Sequence, residues 1–93
     1  MKPDLKNLTG YCKWITKIRY INYGFITVSS QCEEEGKDIF FTASDIVTVN
    51  SKSVKSLESD EYVNFDITYS DRGARAINIT AIVGETLQCE KVA

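Results

Sequence analysis

The sequence contains no histidine, a single proline, a single tryptophan and an odd number of cysteines, three. Without histidine the side chain that most often acts as a general base near neutral pH is missing, and so is the commonest transition-metal ligand. Cys12, Cys32 and Cys89 stand in three distant segments and not in Cys-x-x-Cys pairs. Three free thiols are therefore expected and no zinc site, with Cys12 a small core residue. There is no glycine-rich phosphate loop, no nucleophile on a strand-turn-helix elbow and no group of carboxylates at metal spacing. Asp38, Asp45, Asp60, Asp66 and Asp71 are scattered, as solvated surface acids are. These absences argue against an enzyme and call for no cofactor. No apolar run approaches the length of a membrane span, and Met1-Lys2-Pro3-Asp4-Leu5-Lys6 holds no apolar signal core, so a cytosolic protein without a membrane role is expected. Asn7-Leu8-Thr9 and Asn78-Ile79-Thr80 match the glycosylation sequon, which has no chemistry without secretion.

What is present is a 93-residue chain, 43% hydrophobic and 26% charged, in the range of one folded domain with a small core. Strand patterns dominate. Thr9–Thr16 is rich in aromatic and β-branched residues, with Tyr11 and Lys13 on one face and Cys12 on the other. Strict alternation does not settle where Trp14 points, because a bulge would re-aim it. Lys17–Asn22 reads as a connection, Ser29–Lys37 as a solvated loop carrying Glu33-Glu34-Glu35, and Thr42–Ile46 as a short helical turn before the polar loop Thr48–Ser56. Val63, Phe65 and Ile67 alternate with polar residues, Ser70-Asp71-Arg72-Gly73 is a turn, and Ala74–Val83 resumes the alternation through Ile77 and Ile79. Residues 1–8 and 84–93 read as tails around a domain spanning 9–83.

The most informative stretches are Tyr23-Gly24-Phe25-Ile26 and Asp38-Ile39-Phe40-Phe41-Thr42. On a strand Tyr23 and Phe25 share one face while Gly24 and Ile26 take the other. Antiparallel pairing of the two runs lets Phe40 join Tyr23 and Phe25 while Ile39 and Phe41 enter the core, and Gly24 saves core space. A small domain tolerates a row of outward aromatics mainly where a ligand covers it, and flat rings stack on bases.

Together with Gly10, Lys13-Trp14, Ser44, Ile46, Leu57, Val63-Asn64-Phe65, and Arg72-Gly73 through Ala76-Ile77-Asn78-Ile79-Thr80, these runs fall in the order found in the cold-shock domain family, which the chain resembles over roughly residues 9 to 83. The resemblance implies an all-β, five-stranded Greek-key barrel of the OB type, with RNA-binding motifs on adjacent strands. It implies a partner, single-stranded RNA or DNA, with RNA favoured, and a role in chaperoning or regulating RNA. The candidate nucleic-acid-binding residues are Trp14, Tyr23, Phe25 and Phe40 for stacking, with Lys13, Lys17 and Arg19 able by their charge to meet phosphates, and Thr42 at the end of the third strand.

The chain departs from the family in ways that bear on affinity. The family's histidine and phenylalanine after the third-strand motif are Thr42 and Ala43 here, its loop phenylalanine falls near Val54, and the residues after the tryptophan are Ile15 and Thr16. Each stacked base contributes roughly 1–3 kcal/mol, so the loss of even two rings implies reduced affinity. The charge is uneven. Lys2, Lys6, Lys13, Lys17 and Arg19 face only Asp4 in residues 1–28, whereas the remainder holds twelve acids and six cations, for a net charge of −2. The positive part is also the part with Trp14, Tyr23 and Phe25. The alternative reading is a divergent barrel that uses the aromatic face and the acidic loop to bind a protein partner.

Overall fold

The computed structural model describes residues 2–18, 21–50 and 52–91. Five strands, β1 (Leu5–Ile18), β2 (Ile21–Val28), β3 (Asp38–Thr42), β4 (Tyr62–Ser70) and β5 (Gly73–Ala81), close into a barrel in the order β1-β2-β3-β5-β4. All neighbours are antiparallel except β3 and β5, which run parallel through Phe40 and Arg75 and continue in a bridge between Ile46 and Ile79. The all-β OB-type barrel expected from the strand patterns is present. Its only helical pieces among the described residues are single 3₁₀ turns at Ala43–Asp45 and Gln88–Glu90.

The interior is filled by the inward-facing half of each alternating strand. Ile26 and Val28 come from β2, Ile39 and Phe41 from β3, and Val63, Phe65 and Ile67 from β4. Cys12 lies fully inside, where burial, followed by the nearby charges of Glu61, Asp60 and Glu58, pushes its thiol up to about 11. It is therefore protonated and inert at neutral pH. All three cysteines are free thiols.

Several element boundaries differ from the sequence reading, each for a backbone reason. β1 begins inside the expected N-terminal tail, and Leu8 belongs to the core. The register shifts between Leu5 and Leu8, where Asn7 adopts φ 58°, so the simple alternation that would have shown the strand is broken. The expected connection Lys17–Asn22 is largely ladder: Lys17 pairs with Asn22 and Ile18 with Ile21. In β5 the alternation slips at Asn78, φ 51°, so that Ala76 and Ile79 are buried while Ile77, expected as a core residue, is only half-buried. Asparagine tolerates the left-handed region better than most residues, and both sequon asparagines are strand-distorting residues of this kind. Asp66 on β4 ties the two distortions together, accepting from the Asn7 N–H at 2.9 Å and from the Asn78 side-chain amide at 3.0 Å.

The expected solvated loop Ser29–Lys37 turns Glu34 inward instead, close to Lys37 Nζ at 3.5 Å and Lys2 Nζ at 3.6 Å. Nor is the C-terminal segment a loose tail. Leu87 is only 1% exposed and packs in the core, with Cys89 against its edge. Glu61 accepts from the Gln88 N–H at 2.7 Å, and Glu90 accepts from the Asn50 N–H at 2.8 Å, which fastens the segment to the barrel. Leu87→Ala is expected to lower unfolding stability by about 2–5 kcal/mol in a urea titration, the cost of a core cavity; a change below about 0.5 kcal/mol would show that the segment contributes nothing to the fold.

Candidate nucleic-acid interface

The outer wall of β1, β2 and β3 owes its shape to a bulge. Cys12 pairs with Ile26 and Trp14 with Phe25, so Lys13 is the extra residue on β1. Alternation alone would put Trp14 on the inner face with Cys12; the bulge turns it outward, opposite Phe25. Gly24 makes room for this. A Cβ there would meet the Trp14 carbonyl oxygen, and Ile15 Cα at 2.9 Å, so its role is close backbone approach and not only the saving of core space.

Four rings then assemble. β2 and β3 pair in the expected register, Phe25 with Phe40 and Tyr23 with Thr42. Trp14 lies 5.2 Å from Phe25 and 5.9 Å from Tyr23, and Phe40 lies 6.0 Å from Phe25 and 5.9 Å from Tyr23, centroid to centroid. Each ring thus touches two others in a closed quartet. Trp14 remains 40% and Phe40 36% exposed, with Tyr23 and Phe25 half-buried, so the quartet is open to solvent and not sealed in the core. Neighbouring rings at these spacings support one another and offer flat apolar surface to a stacking ligand.

The cations are less free than the sequence suggests. Lys13 Nζ donates to Asp38 Oδ2 at 2.7 Å, and Thr27 Oγ1 donates to Asp38 Oδ1 at 2.7 Å. The Lys13 hydrogen bond, then that from Thr27, holds the Asp38 carboxyl below its ordinary value, and the same contact raises Lys13. At the opposite side of the quartet stands Arg75, beside Phe40 on β5; nothing local in the sequence marked it, because its placement depends on the parallel β3–β5 contact. Its Nε donates to Asp45 Oδ2 at 3.0 Å and its second guanidinium nitrogen to Thr42 Oγ1 at 3.1 Å. Thr42 also hydrogen-bonds Ser44 at 2.8 Å and donates to Asp45 at 3.1 Å, so its hydroxyl is already engaged within the chain. Of the remaining expected site residues, Lys17 is joined to Asn22 through the β1–β2 ladder, whereas its side chain, together with Arg19 and Tyr20, lies outside the described residues.

Comparison with known proteins agrees with this geometry. Residues 8–82 match the family model of the "'Cold-shock' DNA-binding domain". The chain belongs to the cold-shock domain family. It is 35% identical over 75 residues to Cold shock protein CspB of Geobacillus stearothermophilus, covering 78% of this chain and 96% of that protein. It is 39% identical over 70 residues to Cold shock protein 1 of Lactiplantibacillus plantarum, covering 75% of this chain and 91% of that protein. The cold-shock domain is a nucleic-acid-binding fold, and here its sheet face carries the ring quartet between two cation–carboxylate pairs.

Because exposed ion pairs hold their partners only weakly, a phosphate can compete for Lys13 in this cold-shock domain. Asp38→Asn is expected to raise affinity for a single strand about two- to fivefold and to steepen the log-log salt dependence by about 0.7, as one more cation becomes available. Titrations across a salt series read both quantities, and an unchanged slope would show that Lys13 does not reach the strand.

Proposed function

We propose that this cold-shock domain binds unpaired nucleic-acid strands by stacking successive bases on Trp14, Tyr23, Phe25 and Phe40, with Lys13, Lys17, Arg19 and Arg75 meeting phosphates and Thr42 at the margin. The observation that carries this reading is the solvent-open quartet, which joins three strands into one apolar platform. RNA is the favoured strand, since unpaired loops and ends are where its bases are accessible to stacking. The role that follows is holding RNA unfolded or regulating it. Two features support a lower affinity than that of relatives with more rings: Ile15, Thr42 and Ala43 offer no aromatic face, and both described cations beside the quartet already have carboxylate partners. Stacking then supplies most of the binding energy, and the salt dependence is shallow.

Titrating the protein with pyrimidine-rich RNA and DNA strands while following Trp14 fluorescence tests this directly. Quenching is expected, stronger with RNA and weakened by salt. Phe25→Ala and Phe40→Ala, both still folded by circular dichroism, are each expected to lose about five- to a hundredfold in affinity, one stacked base's contribution. No response near millimolar strand would refute the reading and leave the aromatic face to a protein partner.

A further inference from the structure

A second aromatic pair stands beside the Lys13 edge of the quartet's wall, where Tyr11 pairs with Thr27, the residue whose hydroxyl donates to Asp38. Tyr11 on β1 and Tyr62 on β4 are register partners, with ring centroids 5.5 Å apart and planes inclined by 50°. Tyr62 is 56% exposed. Asp60 borders the same opening, a shallow depression of about 360 Å³ lined, among the described residues, by these three. Its backbone is fixed there: φ is 69°, and its N–H donates to the Cys12 carbonyl at 2.7 Å. Two π faces beside a carboxylate match the requirements of a cation, which is drawn to the ring quadrupoles and to the formal charge together.

The opening does not end at the tyrosines. Asp60 and Tyr62 also line a depression of about 390 Å³ that runs on past Glu61 and Glu85, with Lys91 the one cation on its border among the described residues. This in turn shares Ala81, Ile82, Glu85 and Thr86 with a groove of about 500 Å³, whose wall includes Val47, Val49 and Val83. Val49 is 98% and Val83 90% exposed. The C-terminal segment that Leu87 anchors forms one side of the two larger depressions. Carboxylates of Asp60, Glu61, Glu85 and Glu90 border the whole furrow from one end to the other.

We propose that this furrow is a docking site for an extended basic segment of a partner protein, with an arginine or lysine side chain in the Tyr11–Tyr62 cleft beside Asp60 and an aliphatic side chain against Val47, Val49 and Val83. The border charge complements a basic segment and repels a phosphate backbone, so a nucleic-acid strand is disfavoured here. A furrow that passes from a cation cleft to an apolar groove suits a peptide better than a small amine, which would use only its first part. The cleft shares no ring with the quartet, so substitutions can tell the two surfaces apart.

The test uses a fluorescein-labelled peptide of alternating arginine and valine, a glutamate-valine control peptide and a pyrimidine-rich RNA, each titrated with the full chain and followed by anisotropy. The basic peptide is expected to bind and the acidic one not to. Tyr62→Leu, which keeps the apolar surface without a π face, and Asp60→Asn, which suits the left-handed backbone, are each expected to weaken the peptide about fivefold or more. Glu35→Gln and Phe25→Ala are expected to leave it unchanged, and Tyr62→Leu to leave RNA binding unchanged. The proposal fails if the peptide does not bind, if Tyr62→Leu and Asp60→Asn bind it as the parent does, or if Phe25→Ala abolishes it. Loss of RNA binding in Tyr62→Leu would also overturn it by placing the tyrosine cleft on the strand path, whereas failure of RNA to bind any variant counts against the quartet reading alone.

Discussion

The extra residue in β1 at Lys13 governs the outer wall of β1, β2 and β3. A regular strand would point Trp14 inward behind Cys12, into a core already filled by Ile26, Phe41 and Phe65. One inserted residue keeps Cys12 inside, turns Trp14 outward opposite Phe25 and completes a quartet that otherwise has three members. The bulge can exist because Gly24 lets β2 approach the Trp14–Ile15 backbone more closely than any side chain would permit. The short sequence Tyr-Gly-Phe thus does two jobs at once: its outer residues provide rings, and its central residue lets the neighbouring strand provide another.

Once the rings are in place, the balance between stacking and charge follows from their neighbours. Lys13 and Arg75 stand on either side of the quartet, and each is paired with a carboxylate, Asp38 and Asp45 respectively. The pairs are exposed enough to exchange partners at small cost, so they do not block a phosphate; they lower the gain from binding one. On the proposed reading, a face built in this way depends mainly on ring contact and has a shallow salt dependence. It also accounts for a net charge of −2 on a nucleic-acid-binding fold, because the contribution of each base to stacking does not depend on the overall charge.

Much of this was legible in the sequence because period-two alternation is a direct projection of strand geometry. Val63, Phe65 and Ile67 read as inward and are inward, and the pairing of Phe25 with Phe40 follows from aligning two short runs. Two of the misses share one cause. Asn7 and Asn78 each take a positive φ within a strand and shift the alternation beyond them, which hid the start of β1 and misassigned Ile77. Asparagine inside a strand pattern was an available signal, but the two were read only as sequon matches without chemistry. Arg75 and the Tyr11–Tyr62 pair were invisible for a different reason, since both arise from contacts between strands distant in sequence. Leu87 was lost among polar neighbours, because a single apolar residue has no periodicity to reveal it.

The C-terminal segment shows how a small barrel gains a second surface. OB-type barrels of this length have little core, and a strap carrying one buried leucine adds to it. Holding the strap requires acceptors for its free N–H groups and for those of the facing loop, and Glu61 and Glu90 supply them through Gln88 and Asn50. Carboxylates recruited to fasten backbone necessarily stand along the seam between strap and barrel. Two of the furrow's four acids, Glu61 and Glu90, therefore arise from the same contacts that complete the core. Beside the quartet Asp38 and Asp45 are each matched by a cation, whereas along the seam four carboxylates border one lysine among the described residues, so the two surfaces differ in charge balance.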